Sequence, residues 1–175
     1  MKEKFFPERI VCLTEEPTEV LYLLGEQNRI VGISGFTVRP SEARQEKPKI
    51  SGFSTADIGK ITALKPDLVI GFSDIQATIA KNLIEKGIPV WINNHRSVSG
   101  IYKMIVQLGS MVGKQEAAVF LVQELRKNME KICSQNQSRS IKPKIYFEEW
   151  DDPIITGIKW VGELIELAGG IGIFS

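Results

Sequence analysis

The chain has 175 residues, 43% of them apolar and 25% charged, the make-up of an ordinary globular chain of about one to one and a half domains. Its 22 basic and 21 acidic residues are mixed along the sequence and leave a net charge of +1, so no field steers it toward nucleic acid or an anionic membrane surface. No apolar run approaches a membrane span, so a membrane-embedded chain is not expected.

The elements are read in chain order. Residues 9–13 form a strand pattern, and 16–24 a helix with Val20, Leu21, Leu23 and Leu24 on its buried side and Gly25 as its stop. A second strand follows at 29–33. Residues 34–53 are polar, rich in Pro, Arg and Lys, and too long for a plain turn; long loops of this kind are often functional. The stretch STADIGKITALKPDLVIGF, 54–72, then holds a helix start, a helix stop, a loop and a buried strand. Ser54 and Thr55 are N-cap types, and Asp57 is placed to return a capping-box bond to Ser54. Ile58, Ile61 and Leu64 recur every three residues, predicting a helix of about three turns that Pro66 cannot continue. Leu68, Val69 and Ile70 run continuously apolar, as in a strand covered on both faces, and end at Gly71 and Phe72.

A helix over 74–86 carries Ile75, Ile79 and Leu83 four apart and closes at Gly87, and 89–92 is the next strand. Helical patterns at 101–112 and 116–133 are broken by Gly113; the second is the longest, with Val119, Val122, Leu125, Met129 and Ile132 as its stripe. Residues 134–143 are a polar break, read as a boundary. A strand resumes at 144–147, and 157–168 is helical through Val161, Leu164, Ile165 and Ala168 until Gly169 and Gly170.

Strands alternating with helices predict the doubly wound α/β class with a mainly parallel sheet. No GxGxxG or GxxxxGK[ST] follows a strand, so the nucleotide-binding versions lack their phosphate cradle. Ligands in such sheets sit outside the carboxyl ends of the strands, here 14–16, 34–37, 72–74 and 93–97. Glu15, Phe36, Phe72, Ser73, His95 and Arg96 are the candidate contacts of that rim.

Four segments, RIVCLTEEPTEVLYLLG at 9–25, RIVGISGF at 29–36, ITALKPDLVIGF at 61–72 and GELIELAGGIGIF at 162–174, resemble the cobalamin and ferric-siderophore group of ABC-transporter substrate-binding proteins, the helical-backbone type of periplasmic binding protein. EEWDDPIITGIKWV at 148–161 resembles a subgroup without signal peptides that is labelled cobalamin-binding. The resemblance implies two α/β lobes joined by a long rigid helix, with a large flat small molecule, a cobalamin-like corrinoid or a ferric siderophore, held between them. It divides the chain into an N-terminal lobe over 1–112, the connecting helix over 113–135, and the first strand and helix of an incomplete second lobe over 144–175. That remnant is expected to expose Leu164, Ile165 and Leu167 or Val161, a surface for self-association or a covering partner.

Phe36 and Phe72 fall where the family places aromatic walls; core or loop packing is the alternative. Trp150 and Trp160 flank the second-lobe loop 151–159, in which Thr156 and Gly157 are placed for hydroxyl and backbone contacts to ligand amides. Arg96 offers a donor fork for a carboxylate or phosphate. His95 is the only histidine, which argues against a multi-histidine metal site, and its expected role is loop packing or hydrogen bonding. Glu148, Glu149, Asp151 and Asp152 are expected in a solvated loop, with no metal site. Cys12 and Cys133 are expected as structural thiols. Ser73 precedes an Asp but has no supported base, so neither an enzyme nor a catalytic cofactor is expected.

The sequence therefore predicts a non-catalytic binding protein, with a cytoplasmic interaction or regulatory subunit on the same fold as the alternative. An ABC permease is a weaker partner expectation, because relatives tend to carry a docking Glu where this chain has Gly59; Asp57 is read as a helix-start charge. The N-terminus MKEKFFPERIVCL lacks an apolar stretch of secretory length, so a cytoplasmic location is expected, with a periplasmic or cell-surface one if the true N-terminus differs.

Overall fold

The chain is described by a computed structural model covering residues 5–136 and 141–174; residues 137–140, within the polar break expected at 134–143, residues 1–4 and Ser175 lie outside the described residues. The described residues divide into two units, the first comprising 5–94 and Met104–Ala118. There short apolar runs alternate with helices: β1 (Ile10–Cys12), α1 (Glu15–Leu23), β2 (Ile30–Ser34), α2 (Ser41–Glu46), β3 (Lys49–Ser51), α3 (Ile58–Ala63), β4 (Leu68–Phe72), α4 (Ala77–Ile84) and β5 (Val90–Asn93). The strands form one parallel sheet in the order β3-β2-β1-β4-β5, with Val11 beside Val69 and Ile70 beside Trp91. The chain winds outward from β1 through β2 to β3, then returns to β4 and winds the other way. The doubly wound α/β class is thus present, and its switch point lies between β1 and β4.

Burial explains the continuous apolar runs. Val11, Leu13, Ile50, Ile61, Val69, Ile79 and Leu83 form one core cluster, and every residue of β1 is buried. α1 ends as its sequence predicts, at Gly25 with φ +74°, where the Gly25 and Glu26 amides donate back to Tyr22 and Leu21. Leu23 is 60% and Ile75 53% exposed, so neither belongs to the buried side expected of it. Leu23 closes α1 on its solvent side, and Ile75 lies on the turn that precedes α4.

Three local expectations change. The polar stretch 34–53 contains α2 and the edge strand β3, which are too short for a periodic signal. α3 spans six residues rather than three turns, and its N-cap is Asp57 itself, whose carboxylate accepts from the Lys60 amide at 2.9 Å. No capping box to Ser54 forms, because the chain from Ser51 to Ala56 turns back on itself through an antiparallel bridge. The Lys60 amide also holds the Asp57 carboxyl below its usual range, consistent with a helix-start charge.

The ALKPD motif acquires a mechanical reading. The Asp67 carboxylate accepts from the backbone amides of Glu8 and Arg9, each at 2.8 Å, while the Arg9 guanidinium donates to the carbonyls of Leu64 (2.6 and 3.0 Å) and Lys65 (3.1 Å). The exposed C-terminal carbonyls of α3 and the start of β1 are satisfied in one exchange.

The second unit comprises His95–Lys103 and residues from Val119 onward. The helices α5 (Val98–Met111) and α6 (Gln115–Asn136) contribute residues to both units. Along α6 only Ala118 is buried; Val119 and Ile132 of the expected stripe are exposed. β6 (Lys144–Ile145) pairs in parallel with β9 (Ile171–Gly172), and α7 (Lys159–Leu167) lies between them in sequence. The expected acidic loop is instead a hairpin, β7 (Glu148–Asp151) against β8 (Ile154–Thr156), with the carboxylates exposed on it. Val161 is buried and Leu164, Ile165 and Leu167 are half-buried, so the exposed apolar surface falls on Ile154, Ile171 and Phe174 instead. The α7 stripe already has β9 and neighbouring side chains to pack near: a Cβ on Gly157 would sit 2.7 Å from Val161 Cβ and 2.9 Å from Phe147 Cδ1, and one on Gly170 would sit 3.0 Å from both Ile145 Cγ1 and Ile165 Cγ2.

Replacing Asp67 by Ala removes both acceptors of the Glu8 and Arg9 amides. The expected loss is about 1–2 kcal/mol of stability, read as a lower urea midpoint at unchanged slope.

Candidate ligand-binding rim

The parallel register sets the carboxyl ends of β2, β1 and β4 side by side, and with them four of the residues singled out in the sequence. Glu15 opens α1 just past β1, Phe36 follows β2, Phe72 ends β4, and Ser73 follows it. Phe36 is 60% exposed and Phe72 half-buried. The turn bearing Phe36 is rigid: the Phe36 and Thr37 amides donate to Ser34, and Arg44 of α2 donates to the carbonyls of Gly35 and Thr37 at 3.0 and 3.1 Å.

Ser73 is buried and adopts φ +58°, ψ 176°, a region that residues with a Cβ rarely occupy. Its amide donates to the Asn93 carbonyl at 2.6 Å, and its hydroxyl oxygen accepts from the Ile75 amide at 3.4 Å. The hydroxyl therefore serves the turn into α4.

Burial is the main reason that the Glu15 carboxyl lies above its ordinary range; repulsion from Glu16 adds to it, while the Val38 backbone and Arg39 oppose it. Arg39 itself pairs with Glu19 at 3.2 Å. This part of the rim is aromatic, with a reluctant carboxylate.

In the second unit, His95 and Arg96 lie on the segment before α5, His95 half-buried and Arg96 exposed. That segment is tied to α7, because the Val98 amide donates to Glu163 Oε2 at 2.7 Å. Thr156 and Gly157 line a cavity of about 380 Å³ with Phe147, Val161, Ile165 and Phe174. Trp150 is not on it: the ring is 59% exposed on the hairpin, and its Nε1 donates to the Asp152 carbonyl. Trp160 is half-buried on α7 and is likewise absent from the cavity wall.

Two rim residues escaped the sequence reading. Gln76 is fully buried at the head of α4, and Phe53 is partly exposed on the turn after β3. A lone Gln in an amphipathic pattern gives no signal, whereas the aromatic beside Gly52 in a polar loop was available as one. Cys12 is buried and its thiol is pushed up to about 12, which removes it as a nucleophile. Among the described residues no group of three or more His, Cys, Asp or Glu side chains converges on a metal site, and no helix is long and apolar enough to cross a membrane.

Residues 10–175 match a family model described as periplasmic binding protein. Over 171 residues the chain is 28% identical to a vitamin B12-binding protein of Vibrio campbellii, covering 96% of this chain and 62% of that one. The crystal structure of a periplasmic vitamin B12-binding protein of Vibrio cholerae superposes with a TM-score of 0.80 at 25% identity, covering 98% of this chain and 68% of the other. A Staphylococcus aureus protein complexed with heme shares the fold, with a TM-score of 0.77 at 22% identity over 98% of this chain and 66% of its own. The chain thus spans less than two thirds of the length of the curated relative it matches.

Ser73→Gly is expected to stabilise by about 1 kcal/mol through relief of the backbone conformation, measured as a higher melting temperature. Glu15 supplies a pH dependence. Its folded-state value is raised, so its contribution is fully present below the ordinary carboxyl value and is lost as the pH rises through the raised one. Glu15→Gln should therefore match the parent near pH 4 and be the more stable protein at pH 7, by urea midpoints at the two pH values.

Proposed function

The chain belongs to the periplasmic binding protein family, and on that premise we propose that it is the ligand-recognising part of an uptake protein for a large flat small molecule, a cobalamin-like corrinoid. The observation that carries this is the coincidence of that family match with an aromatic rim, Phe36 and Phe72, at the switch point of the sheet. A corrin presents an extended apolar face with neutral amides around its edge. Aromatic walls suit the face, and backbone groups and uncharged hydroxyls suit the amides.

Charge separates this ligand from its rivals. Heme carries two propionates, and ferric siderophores are commonly anionic; both call for guanidinium or ammonium groups. On the first unit the rim instead carries Glu15 and Glu16, and the nearby Arg39 is engaged by Glu19. Arg96 on the second unit is the remaining candidate donor for an anionic edge, and His95, Trp150, Thr156, Gly157 and Trp160 are proposed as that unit's contacts. The ligand is cargo, and no group of the rim is assigned a catalytic step. The naming of the relatives favours a periplasmic or cell-surface setting over the cytoplasmic one. A permease is the natural partner class for such a protein, although Gly59 and the helix-capping role of Asp57 leave the usual docking carboxylate unsupplied on α3.

Cyanocobalamin titration followed by calorimetry and absorbance tests the reading, with hemin and a ferric siderophore as alternatives. Saturable binding of cyanocobalamin in preference to both anionic ligands is expected; no binding, or a preference for hemin, overturns the corrinoid assignment. Phe72→Ala and Trp160→Ala should each weaken binding by about 1–3 kcal/mol through lost aromatic burial. Unchanged affinity in both variants would remove the aromatic-wall model.

A further inference from the structure

We infer that Glu163 is a positioning residue of the second unit: it latches α7 to the head of α5 and so holds His95 with Arg96, and Thr156 with Gly157, as one composite polar contact. The latch stands on geometry alone; the ligand role of the two segments rests on the binding reading above.

The head of α5 lacks an anion of its own. The first turn of this 14-residue helix carries no acidic side chain, although its amides are the positive end of the helix dipole. Local groups satisfy part of it: the Ser97 hydroxyl oxygen accepts from the Gly100 amide at 3.1 Å, and the Ser97 carbonyl accepts from the Ile101 amide at 3.0 Å. The Val98 amide turns instead to a group 65 residues away, the Glu163 carboxylate, whose Oε2 accepts from it at 2.7 Å in a partly buried setting. Both residues belong to the second unit. A charged acceptor on a helix's first amide is the stronger class of hydrogen bond. The other oxygen, Oε1, stands 3.7 Å from Lys159 Nζ, but Lys159 is 73% exposed and that pair adds little. The carboxylate is committed to α5.

This bond fixes the segment before the helix. A Cβ on Gly100 would stand 3.0 Å from His95 Cβ and 3.4 Å from His95 Cα, so residues 95–97 fold back against the first turn of α5. His95 and Arg96 therefore take their position from the head of α5, which takes its own from α7. The start of α7 is packed as closely: the Gly157 position lies against Val161, whose amide donates to the Ile158 carbonyl at 2.8 Å. Thr156 and Gly157 are thus fixed to the helix that presents Glu163 about one turn past its start. Two segments far apart in sequence share one support. An imidazole, a guanidinium, a hydroxyl and backbone amide groups are directional partners, suited to the amide edge of a corrin. Holding them at a set spacing before binding removes the entropy of ordering them on the ligand.

The test uses the full chain, with cyanocobalamin titration and amide hydrogen exchange as readouts, and the variants Glu163→Leu, Glu163→Gln and, as a control on the same helix, Glu166→Gln. Glu163→Leu should speed exchange at 98–101, leave the amides of the first unit's sheet unchanged, and weaken cyanocobalamin binding about tenfold. Glu163→Gln keeps an oxygen that accepts from Val98 without the charge, so it should retain most of the protection and lose only about threefold in affinity. Glu166→Gln should change neither. In a background carrying both His95→Ala and Arg96→Ala, the leucine substitution should cost little further affinity, because it acts through those side chains; a merely structural role would give additive losses. Should the leucine variant fail to fold, Glu163→Gln carries the same cycle. Additive losses, or unchanged exchange at 98–101 when Glu163 is replaced, overturn the inference. A parent that binds no cyanocobalamin overturns the ligand role of both segments together with the reading above, and the exchange result then decides the latch by itself.

Discussion

The pairing of β1 with β4 is the constraint on which the first unit depends. It is the switch point of the sheet, and its apolar residues, Ile10, Val11 and Cys12 against Leu68, Val69 and Ile70, carry little information about register, since one aliphatic side chain packs nearly as well as the next. Polar groups at the two ends supply it. At the amino end, Asp67 accepts from the Glu8 and Arg9 amides while Arg9 covers the end of α3. At the carboxyl end, Gln76 takes hold of Phe72 and Leu13. A slip of one residue would break both sets of bonds and strand a buried amide, a penalty of about 1–3 kcal/mol for each unsatisfied group. The burial of Val11, Leu13 and Val69 drives the pair together, and the polar ends decide where it stops.

The same arrangement gathers irregular backbone at the strand ends. Each end of the pair carries a non-glycine residue at positive φ: Lys65 (+48°) before β4, whose carbonyl accepts from Arg9, and Ser73 (+58°) after it, braced by the Asn93 carbonyl and the turn into α4. At the amino end the polar side chains of Asp67 and Arg9 have ordinary strand-starting and helix-capping duties. A parallel sheet can carry irregular backbone at both ends because its core holds the strands in the middle. The strand ends are then free to differ, one serving stability and the other presenting side chains.

The sequence was most legible where burial alone shapes the pattern. The apolar run at 68–70 and the stripes of α1 and α4 announced a parallel sheet with covering helices, and the order of segments supplied the family resemblance that the match over residues 10–175 supports. It was least legible where single hydrogen bonds decide. β3 has three residues and the hairpin β7–β8 seven between its two strands, too few for periodicity to rise above composition. The hairpin did have a local sign, Ile154, Ile155 and Thr156 being β-branched residues just past Asp152 and Pro153, but the neighbouring acidic side chains suggested a loop. Asp57 was placed in the right motif with the wrong partner, because N-cap types at Ser54 and Thr55 compete with it and only the fold of 51–56 chooses. Gln76 could not be read at all: among exposed glutamines it is distinguished solely by what surrounds it.

The two units also differ in how their aromatic residues are exposed, and this bears on which exposure signals recognition. On the first unit, Phe36, Phe53 and Phe72 sit on backbone that is bonded on several sides, by Arg44, by the closed turn at Gly52 and by Gln76, so the entropy of ordering them is already spent before any ligand arrives. On the second unit, Trp150 and Phe174 are 59% and 63% exposed on a two-stranded hairpin and beside a two-stranded ladder, elements with little sheet around them. Rings of the first kind are pre-organised, and their exposure costs solvation with a geometric return. Rings of the second kind are fixed by their own side-chain contacts instead, Trp150 through Nε1 to the Asp152 carbonyl and Phe174 edge-on to Tyr146 with ring centroids 5.7 Å apart, so the backbone orders the exposed aromatics on the first unit and the side chains order them on the second.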